Sequence, residues 1–296
     1  MTTTTTMTET LTVPRTRATR RARRPKVNLA FVTVLVMTLI TLFPVYWMLL
    51  TALLPMQAIF SRTPTLIPTG EVSFGSFQGL LEKTPIFSWI LQSAIITIGT
   101  SLLSGFICLL AAYALSRFVV PGRKMTAVGF LVGRVLPGTL LALPLFILFQ
   151  TVGLLNTQVA VILANVAVVT PLTTLILKGY FDGIPREIDD AAMVDGCSRW
   201  GVLWRMIFPL SIPGLVACVG LSATAAWTDL LFARTLLLTR ENWTLPMGIT
   251  SIIGAHEVDW NELMAAGLIS VIPMLIIYWF LQPHLVSGMT AGGVKG

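Results

Sequence analysis

Residues 84–116 read TPIFSWILQSAIITIGTSLLSGFICLLAAYALS, without one Asp, Glu, Lys or Arg. A helix crosses about 30 Å of hydrocarbon with roughly 20 apolar residues, so this stretch is long enough for one complete span. Working outward, Val27 to Ser61 is equally free of charge, Met125 to Leu177 carries only Arg134, Met206 to Leu238 carries only Asp229 and Arg234, and Leu263 to Pro283 carries none. The third of these is too long for one crossing, and its polar, Gly-containing run Gln150 to Gln158 (QTVGLLNTQ) reads as a tight turn between two spans. Six spans are expected, over about residues 28–51, 88–116, 125–149, 158–178, 208–238 and 263–283. With 55% hydrophobic and 11% charged residues in a chain of 296, and a mean hydropathy of +0.82, the fold class is an all-α integral membrane protein.

The net charge of +7 would suggest nucleic acid in a soluble protein, so its distribution along the chain decides. It falls on alternate loops. Arg15, Arg17, Arg20, Arg21, Arg23, Arg24 and Lys26 precede the first span; Arg117, Arg123 and Lys124 follow the second; Lys178, Arg186, Arg199 and Arg205 follow the fourth. With Lys295 these make 15 of the 20 basic residues, against Arg62, Lys83, Arg234 and Arg240 on the opposite side. The positive-inside rule therefore places both termini in the cytoplasm and makes the basic tail a topology determinant, with membrane lipid around the spans and no nucleic-acid partner expected. Residues 1–26 read as a disordered basic tail and 27–296 as the membrane domain, because the apolar segment from Val27 exceeds a cleavable signal core.

Catalytic chemistry is not legible. Cys108 and Cys218 fall in spans and Cys197 in a cytoplasmic loop, so neither a disulfide framework nor a thiolate metal quartet is implied. His256 and His284 are the only histidines, too few for an imidazole metal site, and His256 beside Glu257 and Asp259 reads as solvated. No Gly-Lys dipeptide occurs, so the chain has no loop ending Gly-Lys-Ser/Thr to cradle nucleotide phosphates. No nucleophile–base set is evident, which disfavours a membrane-embedded enzyme.

The one large cytoplasmic insertion, 179–207, has its own pattern. Pro185 suits a first helical turn, and Glu187, Asp189 and Asp190 gather where the positive end of a helix dipole favours acids. Ile188, Ala191 and Ala192 then share a face of small residues that another backbone can approach. Gly196 supplies a left-handed C-terminal cap, Ser198 caps a second helix, and Val202, Leu203, Met206 and Ile207 form an apolar stripe expected to run until Pro209 and Pro213 interrupt it. From pattern alone the hairpin is either a membrane-surface element or a docking site.

Ile184-Pro185, Glu187, Asp190-Ala191-Ala192, Asp195-Gly196, Ile207-Phe208-Pro209-Leu210 and Pro213 resemble the "EAA" loop of ABC importer permeases, with Asp190 standing for the Glu and Phe208 for a Leu. Gln282 to Gly296 resembles the C-terminal tail of MalG-like permeases of the carbohydrate-uptake group. So do Phe43-Pro-Val-Tyr-Trp-Met-Leu, Gly153-Leu-Leu-Asn-Thr157, Trp227-Thr-Asp-Leu-Leu-Phe-Ala233, Thr244-Leu-Pro-Met-Gly248 and Leu263-Met-Ala-Ala266, in order along residues 29–296. The resemblance implies a permease subunit that imports a sugar or sugar-like solute across the bacterial cytoplasmic membrane. It implies a separate ATPase dimer that binds ATP and magnesium, a second MalF-like permease, and an extracytoplasmic solute-binding protein or lipoprotein. It also implies that Glu187, Ile188, Asp190, Ala191, Ala192, Asp195 and Gly196 form the coupling helix that enters a cleft of the ATPase. The rival reading is an ion-gradient-driven secondary transporter or channel, although no internal repeat is apparent.

Arg134 and Asp229 lie inside apolar stretches, where a charge costs on the order of 3 kcal/mol. Either they line a solute path beside the apolar face of Trp227, or they form a structural ion pair. Gly129 and Gly133 make a GxxxG pattern that fits close helix packing or chance, and Pro44, Pro137, Pro144 and Pro171 are expected as bends.

Overall fold

The computed structural model describes residues 29–56, 67, 72–119, 121–135, 137–253 and 258–292, the side chains of 123, 124, 134, 135 and 283–292 excepted. The basic tail, Arg62, His256, Glu257 and Lys295 lie outside the described residues, as do the side chains of Arg134 and His284. Two compact units divide the chain, Met1–Pro44 and Val45–Gly296. In the first, the described residues form the start of helix α1 (Leu29–Leu53) with their side chains exposed. Thr33, Thr38 and Thr41 each donate to the carbonyl four residues back, at 3.0, 2.8 and 2.8 Å, which satisfies their hydroxyls without water.

The second unit holds the end of α1, then α2 (Gly75–Lys83), α3 (Ile86–Arg117), α4 (Arg123–Val135), α5 (Gly138–Thr151) and α6 (Gln158–Asp182). A hairpin follows, made of α7 (Glu187–Val194) and α8 (Arg199–Val202), and a π-helical turn (Leu203–Ile207) leads into α9 (Phe208–Trp227). The chain closes with α10 (Leu231–Leu236), α11 (Leu245–Ser251) and α12 (Trp260–Gly292). α3 and α6 are the central pair, and α9 packs on both and on α12.

Small residues allow these approaches. A Cβ on Gly214 would lie 2.7 Å from the Tyr180 ring, and one on Gly220 would lie 2.5 Å from Leu281. Ser104 on α3 donates to Ser222 on α9 at 2.9 Å, a buried polar bond between two spans. Large apolar side chains such as Phe87, Leu102 and Phe280 point outward instead, because lipid tails solvate them and no aqueous penalty drives them in.

Among the described residues five helices are long and apolar enough to cross a membrane, or six where the two pieces Met125–Gly133 and Gly138–Thr151, bent by 93°, count as one broken span. The third expected span is thus bent at Pro137, one of the prolines expected as bends. Pro137 stands at the break in extended conformation (ψ 132°), having no N–H for a helical bond, whereas Pro44, Pro144 and Pro171 lie inside continuous helices. Gly129 and Gly133 have open space around them, so the GxxxG pattern packs against nothing among the described residues.

The fifth span also differs from expectation. It begins in the hairpin and ends at Trp227, leaving Asp229 in the connection to α10. Pro209 and Pro213 do not interrupt it. The π turn ends two residues before Pro209, and its wider helix eases the fit of a ring that cannot donate and that would press on the preceding turn. Of the expected stripe, Val202, Leu203 and Ile207 are buried, while Met206 is exposed.

Candidate functional site

The hairpin is built from the backbone outward. α7 opens with Glu187, Asp189 and Asp190 in its first turn, where free N–H groups favour acids. It closes at Gly196, whose φ of +85° is left-handed; Cys197 N donates to Ala192 O at 2.9 Å and Gly196 N to Met193 O at 3.1 Å, the paired bonds of a Schellman cap. Ser198 then accepts from Gly201 N at 3.2 Å and starts α8.

The sequence places Ile188, Ala191 and Ala192 on one docking face, and the structure splits them. Ala192 is 3% exposed and belongs to the chain's own core with Ala112, Phe181, Leu203 and Ile207; Ile188 is half-buried; Ala191 is exposed. The inward stripe of α7 is Asp189 with Ala192, at i, i+3. Glu187, Asp190, Ala191 and Asp195 face outward with Met193 and Val194. Backbones therefore meet within the chain at Ala192, and the other side of the helix stands exposed.

Contacts not legible in the sequence fasten the hairpin to the membrane bundle. Arg117, last in α3, places Nε 2.7 Å from Asp189 Oδ2, both side chains being buried, and its Nη2 donates to Ile184 O at 3.0 Å. Arg186 Nη2 donates to Ser116 O at 2.9 Å, Ser116 Oγ to Asp182 at 2.7 Å, and Tyr113 OH to Arg199 O at 3.0 Å. Burial pushes the Asp189 carboxyl above the usual carboxylate range, and the Arg117 charge pulls it part of the way back. The one available signal was Asp189 sharing the Ala192 face, which an acid leaves only for a buried cation.

Two of the three candidate path residues, Trp227 and Asp229, have structural partners. Trp227 is 5% exposed, packs with Ala52, Trp89 and Ala266, and donates its indole N–H to Ser270 O at 3.2 Å. Asp229 accepts from Phe232 N at 3.2 Å and Ala233 N at 3.1 Å, capping α10, and from Asn165 Nδ2 at 3.4 Å. It is therefore tied to backbone amides and one amide side chain at a helix start rather than standing in mid-span. Arg134 lies near the end of α4.

The Gly153–Thr157 motif is a clasp. Asn156 holds a left-handed φ of 63°, and its Oδ1 accepts from Leu238 N at 2.8 Å and Thr239 N at 3.1 Å, while its own N donates to Leu236 O at 2.8 Å. These bonds fix the turn between α5 and α6 to the segment after α10.

Residues 106–291 match the model of the family described as "Binding-protein-dependent transport system inner membrane component". The chain is 35% identical to the inner membrane ABC transporter permease protein YcjP of Escherichia coli, over 87% of this chain and 92% of that protein. It is 33% identical to the diacetylchitobiose uptake system permease DasC of Streptomyces coelicolor, over 90% and 96%. It is 34% identical to the trehalose/maltose transport system permease MalG of Thermococcus litoralis, over 88% and 94%. A chain of a bacterial ABC transporter that imports alginate superposes with a TM-score of 0.73 at 19% identity, covering 86% of this chain and 94% of that one, and so shares its fold. On this evidence the chain belongs to the inner membrane component family of binding-protein-dependent transport systems: it is a multi-pass permease subunit of an ABC importer, not the ATPase.

Proposed function

We propose that this permease imports a carbohydrate, and that the outward face of α7 is where a separate ATPase dimer, binding ATP and magnesium, docks and drives it. In this reading a second, MalF-like permease completes the path, an extracytoplasmic solute-binding protein or lipoprotein delivers the sugar, and both termini are cytoplasmic. Similarity to permeases named for diacetylchitobiose and for trehalose/maltose supports the substrate class, and the basic residues gathered on alternate loops support the orientation.

The observation that carries the coupling role is the asymmetry of α7. Its inner stripe is locked to α3 through the Arg117–Asp189 pair and the burial of Ala192, while Glu187, Asp190, Ala191 and Val194 stand exposed. A push on the exposed face is then transmitted to α3 through packed and ion-paired contacts rather than through a mobile loop. Ile188 serves as the half-buried edge of that face, and Asp195 with Gly196 sets the angle at which α8 leaves it.

Two arginine substitutions one residue apart test this. Ala191→Arg crowds only the docking face, so the two permeases should assemble in the membrane and lose the ATPase. The expected loss of ATPase affinity is about a hundredfold, the scale of overpacking plus an unpaired charge. Ala192→Arg strikes the chain's own core and should lower the amount of folded permease itself. Normal ATPase recruitment by the Ala191→Arg complex would overturn the docking face, and uptake in vesicles that needs an ion gradient but no ATP would overturn ATP-driven import. Gly75→Cys should react with an impermeant thiol reagent from outside and Cys197 only after the membrane is opened; the reverse would overturn the orientation.

A further inference from the structure

A groove of about 490 Å³ opens beside the hairpin, between the inner end of α3 and the first turn of α8. Leu110, Tyr113, Ala114 and Phe118 form one wall, and Arg199 and Trp200 the other. The wall is apolar almost throughout, and it continues the membrane-spanning surface of α3. Next to it runs an aromatic ridge: Trp200 and Trp204 are 59% and 42% exposed, their rings are 6.3 Å apart, and Trp204 stands 5.3 Å from Phe208. Such i, i+4, i+8 aromatic ridges sit at the headgroup level of a bilayer, where a ring has one side in hydrocarbon and the other in water.

The cation at the groove's mouth is held ready. Tyr113 fixes the Arg199 main chain through its carbonyl, and the guanidinium stacks on the Phe118 ring, 5.1 Å from the centroid. Arg117 is occupied by Asp189 and Ile184, and Arg186 by Ser116. Among the described residues the Arg199 guanidinium donates no hydrogen bond and meets no carboxylate within ion-pair distance. A guanidinium presents a fork of N–H groups that fits a phosphate, and anionic lipid is enriched on the cytoplasmic face.

We infer that this groove holds one anionic phospholipid of the inner leaflet, its phosphate on Arg199 and an acyl chain against Leu110, Ala114 and Phe118. A free phosphate does not fit an apolar trough of this size, whereas a lipid supplies both parts. Because the two walls belong to α3 and to the arm following the Gly196 cap, the lipid braces the hairpin from its membrane side. The inference needs only the membrane topology, not the identity of the solute.

The test uses the assembled transporter in nanodiscs of phosphatidylcholine containing a minor fraction of phosphatidylglycerol. Native mass spectrometry of the released complex should show one more retained phosphatidylglycerol in the wild type than in Arg199→Gln, with Arg199→Lys restoring most of it. Phosphatidylglycerol brominated in its acyl chain should quench a share of the tryptophan emission that Trp200→Phe removes, and brominated phosphatidylcholine at the same fraction should quench that share less. Equal phosphatidylglycerol retention by wild type and Arg199→Gln, in complexes of equal subunit composition, would overturn the site. So would Trp200-dependent quenching that appears in the permease pair and vanishes when the ATPase joins, since the groove would then be a protein interface.

Discussion

Arg117 and Asp189 form a buried ion pair that joins the last residue of α3 to the first turn of α7, and so ties the hairpin to the membrane bundle. Breaking a buried pair by removing one partner costs about 3–5 kcal/mol, because the survivor stays buried and charged. Arg117→Met and Asp189→Asn should therefore each lose thermal stability, and the double variant should recover part of the loss of either.

The same pair gives a pH signature. With its folded-state pKa raised by burial, Asp189 binds a proton more tightly in the folded protein than in the unfolded chain. Its contribution to stability is thus fully present below the unfolded carboxylate value of about 3.9 and is lost as pH rises through the folded value. Without Arg117 the folded value climbs further, so the melting temperature of Arg117→Met, relative to wild type, should be higher near pH 5 than near pH 8. A difference independent of pH would show that the carboxyl is hydrated.

Asn156 does two jobs that substitutions can separate. Asn156→Gly keeps the left-handed backbone and removes the side-chain acceptor for Leu238 N and Thr239 N, a loss of about 1–3 kcal/mol. Asn156→Ala adds the strain of a positive φ, about 1–2 kcal/mol more. Melting curves of the assembled complex should rank wild type above Asn156→Gly and Asn156→Gly above Asn156→Ala.

Gly248 in α11 lies flat against Trp89. A Cβ there would be 2.1 Å from the indole, and Trp89 is fully buried with nowhere to move. Gly248→Ala should cost at least the 1–3 kcal/mol usual for overpacking, roughly, and Gly248→Ala with Trp89→Leu should regain stability. A single variant as stable as wild type would mean that α11 shifts freely on α3.

Asp229 caps α10 through Phe232 N and Ala233 N, so Asp229→Asn, which also caps, should assemble and transport near the wild-type rate. Asp229→Ala should lose about 0.5–2 kcal/mol of stability, with uptake per assembled complex largely kept. Uptake abolished in a fully assembled Asp229→Asn complex would return this carboxylate to the solute path.

The apolar stretches by themselves determined that the chain lives in a membrane and roughly where it crosses, because the cost of placing backbone and charge in hydrocarbon acts on each segment locally, whatever its neighbours. The caps of the hairpin were equally local: acids at the start of α7, Gly196 at its end and Ser198 before α8 are choices made by the nearest few peptide groups. Only the tertiary structure decided which side of α7 is free. Ala191 and Ala192 look alike in sequence, and Ala192 is buried because α3, α6 and the π turn present Ala112, Phe181 and Leu203 to it. It also turned Asp229 from a mid-span charge into a cap, since the end of α9 at Trp227 was hidden by apolar residues continuing beyond it. Arg117 counted in sequence as one more inside charge, and the Asp189 it neutralises was brought to it by the folding of two distant segments, a pairing no local pattern encodes.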